Sequence, residues 1–376
     1  MENMTGRTFA EVFPPGEFIK DELEARGWSQ LDLAQILGRD PVQVNLIIKG
    51  KQSITRETAI QLGDAFGTGA QFWLNLESAY RLSQVEQGES SVARRANLYA
   101  QFPVREMVKR GWVEHSDNID VLEKRFCDFF GIPSLNEVPR LAHAARKSTK
   151  GPVTLPQTAW LFRAKQLAKA VWAEAFSAAS LRRCFEALSL MRLNRDDVRR
   201  VPQVLAGHGI RFVIVELLPT TRIDGVTFWL DSSSPVIALS FRYDRIDWFW
   251  HTLGHEMCHV QNKDGMTEPI LDTDIVGEDQ EAQESDAERE IDLRACEFLV
   301  PQRDLNKFIG RTSPYYSKQQ ITLFAKRIRV HPGIVVGQLQ HRKEMSYAFN
   351  REMLPKVRSL IAPSALTDGW GNVAPV

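Results

Sequence analysis

Cysteine is scarce in this chain. The 376 residues hold four, at positions 127, 184, 258 and 296, and no two form a Cys-x-x-Cys pair. That excludes a disulfide scaffold, and the scatter fits a reducing cytosol. Long apolar runs are lacking too. No stretch approaches the ~20 residues that a membrane-crossing helix requires, so no membrane partner is expected. The first residues carry Glu2, Glu11 and Glu17 where a secretory leader would be apolar, and the protein is expected in the cytoplasm.

Net charge is also absent, with 47 basic side chains against 47 acidic ones. The balance hides a division. Residues 1–80 hold 7 Lys or Arg and 11 Asp or Glu, and residues 81–205 hold 21 and 13. Residues 206–297 hold 7 and 19, and residues 298–376 hold 12 and 4. Solvated faces explain most of this. The contrast can also steer the basic middle toward nucleic acid or toward the acidic part of a neighbouring subunit. The length predicts two or three domains with an ample core.

What is present is His255-Glu256-Met257-Cys258-His259. On a helix, histidines four apart leave one face, one turn apart. Two ring nitrogens can then reach one zinc ion at about 2.0–2.1 Å. Glu256 lies to the same side and can take a proton from water there. A chain of this composition writes the pattern by chance roughly once in ninety sequences, so its flanks decide. Three β-type runs precede it, at residues 210–215, 226–230 and 235–240, separated by turn residues. Asp244 or Asp247 would cap the helix that follows. An extended peptide can add to the edge of such a sheet. A third ligand must come from outside this helix. Residues 268–297 hold 12 Asp or Glu against Arg289 and Arg294. The first half of this run reads as a solvated loop, the second as a helix from about Asp286 to Val300, ended by Pro301. Composition leaves Asp286, Glu288, Glu290 and Asp292 open as the ligand.

The stretch Asp244 to Val260, with Glu290-Ile291-Asp292 and Ala295 to Pro301 further on, resembles the ImmA/IrrE family of zinc metallopeptidases. Ile291 stands where that family usually has Ala, and Arg294-Ala295-Cys296 replaces an apolar pair. The resemblance implies a zincin-like α+β domain with zinc as cofactor. Counting back from Pro301, it implies the ligand set His255, His259 and Glu290, with one position left for water. It also implies that Glu256 is the catalytic base, passing the water proton to the leaving amine of a peptide. An oxyanion donor is needed as well, with Tyr243, Tyr315, Tyr316 and Arg242 as candidates.

The second readable region is residues 17–80, which reads as five short helices. Gly27 ends the first. Ser29 caps the second, with Asp32 in capping-box position, and Gly38 makes the turn. Asp40 caps the third, with Pro41 at its first position. Thr55 opens the fourth, and Ala70 to Tyr80 forms the fifth. A short helix, a glycine turn and a second capped helix make a helix-turn-helix. Val44 and Ile47 would face inward, leaving Gln43, Asn45 and Lys49 outward with Arg39 and Lys51 at the margins. Amides suit adenine edges, and Lys49 and Lys51 suit phosphates.

The residues Ile47 to Lys51, Ile54-Thr55 and Gln71 to Leu76 give this segment its resemblance to the xenobiotic-response-element type of helix-turn-helix. Among those it is similar to HigA-type antitoxins, over residues 9–82. That implies operator DNA as a partner, read by a homodimer on a palindrome. A cognate toxin or a protein substrate would be the second partner. The acidic balance of residues 1–80 runs against a DNA-binding domain, so the basic residues must gather at the groove face.

The expected architecture is mainly α with a small α+β part. A helix-turn-helix domain covers 9–82, a linker 83–94, and a helical middle region 95–205. The zincin-like peptidase domain covers 206–305, a C-terminal helical cover 306–362, and a disordered tail 363–376. His143 and His208 have no metal partners at useful spacing. The two readings together predict an antitoxin-like DNA-binding regulator with a zinc metallopeptidase that cleaves a regulatory protein or itself. The alternative is a non-catalytic zinc-dependent sensor or a toxin-neutralising module.

Overall fold

The computed structural model describes residues 12–84, 90–135, 137, 146–147, 153–267, 269–273 and 286–368. His143, most of the acidic loop and the tail from 369 lie outside the described residues. The chain divides into two compact units, Met1–Ser90 and Ser91–Val376.

Local signals build the N-terminal unit. Helix α1 (Pro15–Arg26) stops at Gly27, whose φ of 66° favours glycine. Helix α2 (Gln30–Leu37) opens on the reciprocal Ser29–Asp32 capping box. Asp40 caps α3 (Pro41–Ile48), and Thr55 caps α4 (Arg56–Phe66). Helix α5 (Ala70–Gln84) follows. Each cap satisfies an N–H that the helix leaves orphaned, an effect of about 1 kcal/mol. Leu33, Ala34, Val44, Ile47, Leu62 and Trp73 fill the core between these helices.

The second unit is organised by non-local pairing. A six-stranded sheet runs in the order β1-β5-β3-β4-β2-β6. Its strands are β1 (Arg146–Lys147), β2 (Arg211–Val215), β3 (Ile223–Trp229), β4 (Pro235–Leu239), β5 (Ile270–Thr273) and β6 (Leu366–Asp368). Strand β3 pairs antiparallel with β4 and β5, and the remaining pairs are parallel. Both faces of this sheet are covered, which is why its strands read as nearly continuous apolar runs. Val213, Val215, Val226, Phe228, Ala238 and Leu271 face one core. Helices α6 (Ser91–Gln101), α7 (Val104–Lys109), α8 (Ile119–Phe130) and α9 (Leu155–Ala170) pack on that side. The helices of residues 95–205 therefore do not stand apart from the sheet.

Phe212, Ile214, Ile237 and Leu239 face the other core. It is shared with α10 (Ala178–Met191), α11 (Val201–Gly207) and α12 (Ile246–Asn262), the helix that carries the His-Glu-x-x-His pattern. Helix α13 (Asp286–Leu299) packs beside α12. Helices α14 (Gln302–Thr312), α15 (Lys318–Ile328), α16 (Pro332–His341) and α17 (Arg358–Ile361) follow. Ile334, Val335, Val336 and Leu339 of α16 are buried in this core, as a cover helix requires.

Two expectations are corrected. Neither Asp244 nor Asp247 caps α12: Arg245 occupies the N-cap and no side chain bonds there. Asp244 Oδ1 instead accepts the backbone N–H groups of Val357 and Arg358, and Asp247 pairs with Arg245. Within the acidic run, residues 270–273 form β5 rather than a solvated loop. Ile270 and Leu271 pair with Thr227 and Val226, and Asp272 is carried into the interior with them.

Helix α12 crosses β3 most closely at Gly225. A Cβ at that position would stand 2.1 Å from Glu256 Oε1 and 2.8 Å from its Cδ. Glu256 is fully buried, and its carboxylate is held by Thr227, so a Cβ at 225 would push it off that bond. Gly225→Ala is expected to destabilise the second unit by about 1–3 kcal/mol. The check is a urea unfolding curve, whose midpoint should fall at unchanged slope.

Candidate functional site

The two histidines of α12 aim at one point. Their Nε2 atoms lie 3.1 Å apart. Two carboxylates from other elements close on them. Asp272 Oδ2, from β5, is 3.5 Å from each Nε2. Glu288 Oε2, from the first turn of α13, is 3.6 Å from His255 Nε2 and 3.5 Å from His259 Nε2. All four donors lie within 4.8 Å of one another. A tetrahedron whose corners sit 2.0–2.1 Å from its centre has edges of about 3.3–3.4 Å. Five of the six edges here fall between 3.1 and 3.6 Å.

The partners behind the imidazoles fit the same purpose. His259 Nδ1 faces Asp264 Oδ2 at 3.0 Å, which directs the other ring nitrogen's lone pair inward. His255 Nδ1 stands 4.0 Å from Asp292 Oδ1. Asp272 is 0% exposed, yet neither of its carboxylate oxygens makes a well-formed hydrogen bond. Two acceptors left this way in a core are costly unless a cation or proton answers them. The donor set, two nitrogens and two carboxylate oxygens, suits zinc.

Glu256 completes the cluster. Thr227 Oγ1, on β3, is 2.6 Å from Glu256 Oε2 and donates to it, and Oε1 makes no hydrogen bond. Burial, helped by the neighbouring Asp272 charge, pushes the Glu256 carboxyl well above the usual carboxylate range. Burial alone would lower the two imidazoles, but the Asp272 and Glu288 carboxylates outweigh it. His255 is held well above its ordinary value, and His259 is raised to about 10. The cluster as it stands shares protons among three carboxyl groups and two imidazoles; a divalent cation would take the place of those protons, leaving the carboxylates ionised and the imidazoles neutral.

The structure does not bring Glu290 to this place. Glu290 is exposed, and Glu288 stands beside the histidines instead. The reason is helical phase. At 3.6 residues per turn, Glu288 lies about 20° from the buried Ala295 around α13, and Glu290 about 140° away. Asp272 was not a candidate ligand on sequence grounds, because its acidic neighbours marked the stretch as solvated. The apolar pair Ile270-Leu271 was the signal available. The four oxyanion candidates lie elsewhere or are engaged by other groups. Tyr316 Oη bonds Glu344, Arg242 lies over the Tyr243 ring, and Tyr315 is exposed.

In the N-terminal unit, Gln43, Lys49 and Lys51 are exposed on or just after α3, and Asn45 is half-buried. Val44 and Ile47 face the core. Arg39 is engaged inside the unit. Its Nε donates to Gln61 Oε1 at 2.6 Å, and Gln61 in turn donates to the Leu37 carbonyl. The residue that sequence reasoning missed is Val42. It lies in the first turn of α3 beside Gln43 and is 64% exposed, so its methyl groups face outward with that amide.

Comparison with known proteins bears on this N-terminal unit. A family model described as Helix-turn-helix matches residues 19–73. Virulence-associated protein I of Dichelobacter nodosus is 36% identical over 88 residues, spanning 23% of this chain and 82% of that protein. The uncharacterized HTH-type transcriptional regulator YddM of Escherichia coli (strain K12) is 32% identical over 73 residues, 19% of this chain and 78% of that one. Pseudomonas aeruginosa antitoxin HigA, solved with the higBA promoter, is 36% identical. The match covers 21% of this chain and 87% of that chain, with a TM-score of 0.20. On this likeness, carried by its first eighty or so residues, the chain belongs to the helix-turn-helix family.

Proposed function

We propose that this protein is an antitoxin-like, DNA-binding transcriptional regulator whose second unit carries a metallopeptidase-type zinc centre, held closed by Asp272. The DNA-binding half rests on α2 and α3, a capped pair with its second helix presenting polar residues outward. As a dimer, α3 of each copy would enter the major groove at one half-site. Gln43 suits an adenine edge and Val42 a thymine methyl, both from the first turn. Lys49 and Lys51 suit phosphates. Arg39, engaged with Gln61, positions the turn.

The observation that carries the metal half is the set of five near-equal donor separations around His255, His259, Asp272 and Glu288. Zinc bound there supplies Lewis acidity, polarising a carbonyl and making a water acidic. With zinc bound, Glu256 would be ionised and placed to take the proton from such a water, and its burial raises its affinity for that proton. Thr227 keeps its carboxylate turned toward the cluster. Asp272 is the obstacle to turnover. Catalytic zinc sites have three protein ligands and an open position, whereas closed four-ligand sites are structural. Turnover therefore requires Asp272 to withdraw. Four protein donors also favour a second reading, a zinc-dependent regulator that never cleaves.

Asp272→Ala should separate these readings. Peptide or self-cleavage gained in Asp272→Ala and lost again in Asp272→Ala with Glu256→Gln supports the latched peptidase. Zinc retained with no cleavage in either variant supports the second reading. The ligand assignment has its own test by competition with a chelator. Glu288→Ala should weaken zinc binding at this centre by more than the about 10–100-fold typical of supporting residues, and Glu290→Ala should leave it unchanged. Because the raised imidazoles must lose protons to bind, zinc affinity should climb with pH across the neutral range. For the DNA half, Lys49→Ala or Lys51→Ala should weaken operator binding on all sequences and lower the salt slope by about 1. Gln43→Ala should cost about 1–3 kcal/mol and relax the preference at one base pair, read by gel shift on a randomised half-site.

A further inference from the structure

Helices α12 and α13 run side by side in opposite senses, and each carries metal-ligating residues at every fourth position. On α12 these are His251, His255 and His259, and on α13 they are Glu288, Asp292 and Cys296. Residues four apart share a helix face, so the two ladders meet rung by rung. The first rung is the centre already described. The second lies one turn along, where His251, Asp292 and Cys296 bring donor atoms within 4.8 Å of one another. His251 Nε2 is 3.0 Å from Asp292 Oδ1. Cys296 Sγ is 3.8 Å from Asp292 Oδ2. A third element reaches the same carboxylate: His341 at the end of α16 puts its Nε2 3.4 Å from Asp292 Oδ2. The His251 and His341 rings stand 5.6 Å apart, against 4.9 Å for His255 and His259.

The second rung is built around one carboxylate: Asp292 Oδ1 meets His251 Nε2, and its Oδ2 meets Cys296 Sγ and His341 Nε2. His251 is 5% exposed, and its Nδ1 makes no hydrogen bond. Arg245, the guanidinium in the adjoining pocket, is engaged with Asp247 and Gln340. That pocket, of about 20 Å³, is lined by Trp248, Gly337 and Tyr347 together with His251 and His341.

We propose that His251, Asp292, Cys296 and His341 form a second transition-metal site, of zinc type, one helical turn from the first. Two imidazoles, a carboxylate and a thiolate exclude magnesium and calcium and suit zinc or its cobalt substitute. Loading releases the Cys296 thiol proton to solvent, since the thiolate is the ligand. The site does not depend on whether the first centre is catalytic.

Cobalt(II) titration of the full-length, metal-free protein tests this, because only the second rung contains sulfur. The expected result is two equivalents bound, with a near-ultraviolet thiolate-to-cobalt absorption. Cys296→Ser should abolish that absorption and keep one equivalent. His341→Gln, a partly exposed change at the pocket wall, should weaken the affinity read on the same absorption about tenfold or more, and covers the case in which Cys296→Ser fails to fold. Glu288→Gln should leave the absorption in place while the sulfur-free equivalent weakens. Wild-type protein without the absorption overturns the proposal, as does absorption that persists in folded Cys296→Ser or keeps its affinity in His341→Gln. Loss of the sulfur-free equivalent alone counts against the first centre and leaves the second standing.

Discussion

Burying Glu256, Asp272 and Glu288 around two imidazoles is the constraint on which the second unit is built. A lone ionised carboxylate in a core is strongly unfavourable, and three within one cluster are worse. Nearby features make that burial tolerable. Gly225 leaves room for Glu256, Thr227 donates to it, and Asp264 steadies His259. The charge is then matched to a divalent cation with carboxylate and imidazole donors at tetrahedral spacing. Charge, packing and helical spacing converge on that one cluster, and such agreement between levels is what specifies a structure.

The two units differ in how much their residues disclose. The first is written locally. Ser29 with Asp32, Asp40 with Pro41, Thr55, and the glycines at 27, 38 and 67 each mark a helix end within a few residues, and the helices start and stop there. The strands at 211–215 and 235–239 were legible as apolar runs, and so was the second half of 223–229; Ile223 to Gly225 read as turn because Asp224 and Gly225 are turn residues, yet they pair in β3. The order of the strands was not legible, because β2 lies between β4 and β6 and the order comes from partners far away in the chain. Nor does composition show that helices 91–170 and helices 178–207 belong to opposite layers. That follows from strand parity, Val213 facing one core and Ile214 the other.

Within the site, the His-Glu-x-x-His spacing was legible because a helix converts four residues directly into one turn. The carboxylates were harder. Phase against Ile291, Ala295 and Leu299 selects Glu288 and Asp292 and turns Glu290 outward, so that information was present in the sequence. Asp272 was obscured by the charges around it. Four residues of strand give a weak signal, and only pairing with β3 shows that this aspartate points inward. Val42 was passed over for a related reason: an apolar residue at the start of a helix is ordinarily assigned to the core.

Strand β5 is not at the edge of the sheet. It lies between β3 and β1, and Asp272 itself is held in register by Gly225 of β3, while β1 pairs with Ile270 and Leu271 just before it. A ligand on a loop can carry its backbone away from the ion, whereas the backbone of this one moves only if its pairing with β3 opens. The lifetime of an ion in that cluster would then be governed by sheet fraying rather than by the strength of any single coordinate bond. A chelator would strip it slowly, and any partner able to insert its own strand beside β3 would release it quickly.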